Sequence, residues 1–259
     1  DAGGFGDDGS ESIIKCGSYT GNNASTANVI NVGFEPQWIM IKGIDRACNW
    51  IMVDVMRGAT VAPSTSFLEA NTSDAEATST SGFALVHPTA TGFSIPSGVS
   101  GQVNEFNENY IYIAIRRPMK TPESGTEVFD INTADGATSP QFKTSSAGPI
   151  DTILSGLTTG FTGTLSSRLT GTGFLKTAST DAELTNSTRV FDYMNGYGSS
   201  ATVNSNFYGW MFKRATGFFD VVAYTGTGVA KTEAHNLGVV PELMIVKKRN
   251  AVKNWYVYS

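Results

Sequence analysis

The chain has 259 residues, among them 28 glycines; 40% are hydrophobic, 16% are charged, and the net charge is −5. That balance excludes a disordered chain, which combines low hydrophobicity with high net charge. The acidic surplus argues against a nucleic-acid partner, which is gripped through clustered Lys and Arg, and no apolar run reaches the ~20 residues of a membrane span.

Residues 1–10 read as a Gly/Asp-rich linker. Within it "GGFGDDG" matches the core of calcium-binding β-roll repeats, but those folds share each ion between tandem turns and need several copies. Asp7 and Asp8 therefore stand only as a calcium alternative, and no cofactor is expected. Cys16 and Cys48 are too few for a disulfide framework. They read as two buried thiols packing like small apolar residues, with a bridge between them as the alternative.

Strands are expected at "QWIMIK", "NWIMVDV", "YIYIAIRR", "FYGWMFKR" and "ELMIVK", all rich in β-branched and aromatic residues. Several are apolar on both alternating faces, as Tyr110 to Ile115 shows. Such strands are either buried on both sides or placed at an assembly interface. The basic clusters Arg116-Arg117 and Lys247-Lys248-Arg249 read as solvated strand ends. Ser73-x-x-Glu76 and Thr180-x-x-Glu183 each predict one helical turn, because a hydroxyl and a glutamate at that spacing form a capping box.

The chain repeats itself. Residues 19–54 align with 224–259 without a gap and with nine identities over 36 positions. The identities include Tyr19-Thr20-Gly21 with Tyr224-Thr225-Gly226, and Asn49-Trp50 with Asn254-Trp255. "SFLEANTSDAEAT" from Ser66 aligns with "GFLKTASTDAELT" from Gly173. These matches divide the chain into a β module over 11–117, a divergent one over 118–214, and the start of a third over 215–259. The middle unit departs most, with "GPIDTILSGL" at the Gly-x-x-Pro strand and no Asn-Trp pair. The expectation for the last stretch is a sheet completed by further chain or by another chain, since a bare edge is an aggregation hazard.

Catalysis has little to work with. His87, before a proline in an expected loop, and His235 occupy non-equivalent positions, and no nucleophile elbow accompanies them. Both read as surface histidines, no metal ligand set is expected, and the chain is not expected to be an enzyme. Of the four tryptophans, Trp50 and Trp255 are repeat equivalents and read as core packing. A glycan-contacting role points first to the unmatched loop "DYMNGYG", with Tyr193 and Tyr197 as binding candidates, and a plain solvent loop as the rival reading.

The run "IIKCGSYTGN…INVGFEPQWIMIK…NWIMVDVMRG…NTSDAEA…YIYIAIRRPMKTPESGTEVFD" resembles a repeat family of tailed-bacteriophage virion proteins of tail-fibre-like or uncharacterised structural type. The resemblance covers the chain from Glu11 onward. It implies an extended virion component on the tail fibre or capsid exterior, homo-oligomeric, bound to other virion proteins and to host-surface glycan, with no catalytic residues to carry over. The fold expected is all-β: tandem antiparallel β-sandwich modules, jelly-roll or lectin-like. Attachment to the bacterial surface by many weak identical contacts is the expected function. A capsid or tail decoration protein is the alternative, and a glycan-degrading tailspike, which needs paired carboxylates, the third.

Overall fold

The computed structural model describes residues 12–23, 26–59, 65–79, 85–99, 101–118, 120–136, 140–157, 159, 163–199 and 205–259. The stretch with Asp7 and Asp8 lies outside the described residues. The chain forms two compact units, 1–118 with 222–234 and 119–221 with 235–259. The stretch expected to open a third module is thus divided between the two.

In the first unit the strands are β1 (Ile14–Thr20), β2 (Asn28–Asn31), β3 (Pro36–Gly43), β4 (Ile51–Asp54) and β5 (Thr65–Glu69). They continue as β6 (Ala77–Ser79), β7 (His87–Thr89), β8 (Gly92–Ile95) and β9 (Asn109–Arg116). Six make an antiparallel sheet in the order β1-β9-β3-β4-β5-β6, and three make a second sheet, β2-β8-β7. The period-2 alternation of β3 puts Ile39 and Ile41 inside and Trp38, Met40 and Lys42 outside. Ile39, Ile41, Ile51, Val53, Tyr110 and Tyr112 of the large sheet form one core with Ile30, Phe93 and Ile95 of the small one. That is a sandwich with a single filled interior.

The second unit repeats the layout. Its strands are β10 (Phe129–Thr133), β11 (Phe142–Lys143), β12 (Thr152–Leu157), β13 (Thr164–Ser167) and β14 (Gly173–Lys176). After them come β15 (Leu184–Thr185), β16 (Arg189–Val190), β17 (Gly196–Ser199) and β18 (Phe207–Phe212). The sheets run β10-β18-β12-β13-β14-β15 and β11-β17-β16, strand for strand the order of the first unit. The divergent middle sequence therefore folds as the same nine-strand sandwich.

Its core is filled differently. Matching the strand pairings puts Ser155, Thr164, Ser166 and Gly209 where the first unit has Ile41, Ile51, Val53 and Tyr112. A Cβ at Gly209 would lie 2.7 Å from the Phe142 ring, so the aromatic from β11 occupies that space. Arg189 stacks on Phe174 at 4.1 Å and donates to the Thr164 and Ser166 hydroxyls. The Thr164 and Ser166 hydroxyls are thereby paired inside the sheet.

Neither expected helical turn forms. Residues 73–76 and 180–183 are irregular segments between β5 and β6 and between β14 and β15, and the described helix is two 3₁₀ turns, Gly125–Glu127 and Arg168–Thr170. Glu183 does not bond back to cap a helix; its carboxylate takes Arg249 at 2.6 and 2.7 Å. Pairing on both sides of each segment leaves a hairpin connection instead of a helix start.

Burial fixes a pH dependence. It pushes the Tyr19 phenol well above its ordinary value, with Tyr110 adding to the shift, and raises Tyr110, Tyr112 and Tyr197 as well. A raised folded-state pKa means that this stabilisation is complete below the unfolded tyrosine value of about 10 and is lost as pH rises through the folded one. The urea midpoint is expected to hold from neutral pH to about pH 10 and then fall. Tyr19→Phe, followed by the same unfolding series, should flatten the decline.

Candidate functional site

The side of each large sheet that faces away from its small sheet is apolar. In the first unit Cys16, Ile113, Met40, Met52 and Leu68 lie side by side across five strands. Ile14, Ile115 and Trp38 form the neighbouring row. The corresponding row of the second unit is Ile131, Trp210, Leu154, Leu165 and Leu175. Leu175 is buried, whereas Ile14 and Ile131 are 49% and 50% exposed. Strands expected to be apolar on two faces are so; among the described residues the inward face is buried, whereas most of the outward row is half-buried. An apolar row that stays partly exposed in two copies, built from different residues, has the chemistry of a contact surface.

The second unit also carries the hairpin β19 (Met244–Lys247) and β20 (Trp255–Tyr258). Its pairs Met244–Tyr258, Ile245–Val257 and Val246–Tyr256 keep the register of Ile39–Val53, Met40–Met52 and Ile41–Ile51. The hairpin is held through its turn. Arg249 forms the ion pair with Glu183, the Glu183 amide donates to the Arg249 carbonyl at 2.7 Å, and Lys253 N–H donates to Thr180 O at 3.0 Å. Trp255 Nε1 donates to the carbonyls of Lys176 and Ser179, both at 3.2 Å. Met244, Ile245, Tyr256, Val257 and Tyr258 remain exposed, where Ile39, Ile41, Ile51 and Val53 are buried.

Between β18 and this hairpin lies a buried ionic knot. Asp220 accepts from Arg214 Nε at 2.5 Å, from the Val221 amide at 2.9 Å and from the Asn236 amide at 2.8 Å. The Arg214 and Asp220 side chains are 4% and 2% exposed. Arg117, the counterpart of Arg214, is buried too. Of the clusters expected as solvated strand ends, Arg117 is therefore interior, its amide donating to the Glu35 carbonyl at 2.8 Å, whereas Arg116, Lys247 and Arg249 are half-buried and Lys248 is exposed.

The candidate binding residues do not converge. Tyr197 is in β17, 1% exposed, with its ring against Phe142 and Phe191 and its hydroxyl toward Ser166. It is core, not a loop contact, because β17 needs an aromatic to fill space left by small residues in the large sheet. Tyr193 is half-buried and lies across Gly198. His87 is in β7, not in a loop, and His235 is exposed, its Nδ1 accepting from the Leu237 amide. Trp50 and Trp255 are half-buried at hairpin bases rather than in the core. Both cysteines are free thiols; Cys16 is exposed on an outward-facing strand position rather than buried. Among the described residues no group of three or more His, Cys, Asp or Glu side chains is placed to hold a metal ion. Sequence reasoning reads "SGVSGQVNEFNEN", residues 97–109, as a polar, Gly-rich loop outside the core; the structure instead buries Val99, Val103 and Asn104 of that loop and leaves Phe106 exposed.

These features define a repetitive all-β protein: two antiparallel sandwich modules of one strand order, each with an open apolar sheet face. The chain belongs to the family of the domain of unknown function DUF7483, whose model matches residues 10–118 and 167–259. No match was found among curated proteins or among solved structures.

Proposed function

We propose that the chain is a structural component of a bacteriophage virion, a fibre or adhesion element with a role in attachment to the host surface, acting without catalysis. What supports this reading is the recurrence of one sandwich with the same outward apolar row in both units. Repetition of a rigid module extends a particle and multiplies weak contacts, which combine through effective concentration. The partner assigned to the apolar rows is a second copy of the chain. Each copy brings both rows, and no carboxylate or ammonium interrupts the central row in either unit, so like faces can meet without desolvating a charge.

The same rows favour one second reading, a capsid or tail decoration protein whose apolar face lies on other virion proteins. Imaging of purified virions labelled with an antibody against residues 66–78, whose segment 70–78 is exposed, separates the two. Label on projecting tail fibres is the expected result. Label spread over the capsid would replace the attachment reading with the decoration one.

A further inference from the structure

The described part of the loop before β9, residues 101–108, is held by a network of hydrogen bonds, and it presents an aromatic ring to solvent. Phe106 is 70% exposed. Two residues earlier Asn104, 0% exposed, uses its whole amide. The oxygen accepts from the Asn22 backbone at 3.0 Å and the Asn28 side chain at 2.9 Å; the nitrogen donates to Asn22 Oδ1 at 2.9 Å and Val99 O at 3.0 Å. Tyr19 donates its hydroxyl to Val103 O at 2.6 Å, and the Tyr110 hydroxyl accepts from the Glu105 amide at 2.9 Å. Gly21 exchanges backbone bonds with Asn107 and Glu108, and a Cβ there would sit 2.1 Å from Glu105 O. Among the described residues the non-glycine positions at positive φ are Asn23 (34°) and Asn107 (61°), and both belong to this pair of turns.

These bonds fix the backbone of the turn that carries the ring. Backbone in sparsely populated conformations, held by a buried polar network, is what a pre-organised contact requires. The chemistry around the ring selects the partner. Asn107 is exposed next to Phe106, and Asn23 hydrogen-bonds into the same turn. An amide offers both donors and an acceptor, and an aromatic face offers apolar area at little conformational cost. Together they match a pyranose ring, which has an apolar C–H face and hydroxyls at its edge.

We propose that the Phe106 turn is a saccharide contact, the ring stacking on the C–H face of a pyranose and the Asn107 amide bonding its hydroxyls. The choice of partner rests on the attachment reading above; the site itself rests on the turn. Saturation-transfer NMR with the methyl glycosides of glucose, galactose, mannose and N-acetylglucosamine tests it. At least one probe should receive saturation at its ring protons from the native protein, lose it in Phe106→Ala and regain it in Phe106→Trp. No transfer to any probe, or transfer unchanged in Phe106→Ala, would overturn the site. Adsorption of bead-displayed protein to host cells separates the two ideas. Equal adsorption by native protein and Phe106→Ala removes the turn but leaves attachment standing, whereas no adsorption and no transfer by native protein removes both.

Discussion

Asp220→Ala is expected to destabilise the second unit by about 3–5 kcal/mol, the cost of removing one partner of a buried ion pair. The lost carboxylate holds the Arg214 guanidinium and two backbone amides, those of Val221 and Asn236. Arg214 keeps its charge at every accessible pH, so the deficit is electrostatic and cannot be relieved by deprotonation. Since domains are stable by only about 5–15 kcal/mol, a loss of this size approaches unfolding. The bond to Asn236 also ties residues 235–259 to the body of their unit. Hydrogen exchange read by mass spectrometry should show protection lost over 119–221 and 235–259 and kept over β1 to β9. Equal loss in both units would mean that Asp220 supports something other than its own unit. Asp220→Asn keeps the shape and an acceptor oxygen, and should fall between alanine and the native chain.

The second large effect is expected at two glycines that occupy the same place in the two modules. Gly92 opens β8 and Gly196 opens β17. A Cβ at Gly92 would lie 2.0 Å from Ile30 O, and one at Gly196 would lie 2.0 Å from Phe142 O. Both obstacles are backbone carbonyls of the paired strand, so no side-chain rotation relieves the clash. The small sheet must open, giving up ladder bonds and core contacts. Gly92→Ala and Gly196→Ala should each cost at least about 2 kcal/mol, in the upper part of the usual range for overpacking. Gly125→Ala has nothing within 4 Å of its added Cβ and serves as the control; its effect should stay within about 0.5 kcal/mol. Thermal unfolding of the three variants checks this, and a Gly92→Ala protein as stable as Gly125→Ala would refute it.

Those glycines also mark where sequence reasoning stopped. Strand chemistry and the repeat offset were legible, because alternation and identity are local properties of the text. What fills a core is not local. Ser155, Thr164 and Ser166 read as polar strand positions, yet they face inward, where Arg189 and Tyr197 reach Thr164 and Ser166 from the small sheet and the Phe142 ring fills the space beside Gly209. The same fact turned Tyr197 from a candidate contact into a core residue. Alternation showed two apolar faces on β9 but could not say which was covered, since that depends on where β2, β7 and β8 return. The capping-box spacing at Thr180 and Glu183 was real; its glutamate is engaged by Arg249, a residue 66 positions away. Phe106 was visible as a letter, but the buried Asn104 that supports its turn was not, because its partners Asn22 and Asn28 lie 82 and 76 residues earlier.

Sedimentation equilibrium of the native chain beside the double variant Met40→Glu/Leu154→Glu tests the central proposal, assembly of copies through the open sheet faces. Both side chains point outward, so the circular dichroism of the variant should remain that of a folded β protein. The account predicts concentration-dependent oligomers for the native chain and a monomer for the variant. A native chain that stays monomeric up to about 100 μM, far above the Kd of a specific interface, or a variant that assembles equally well, would contradict it.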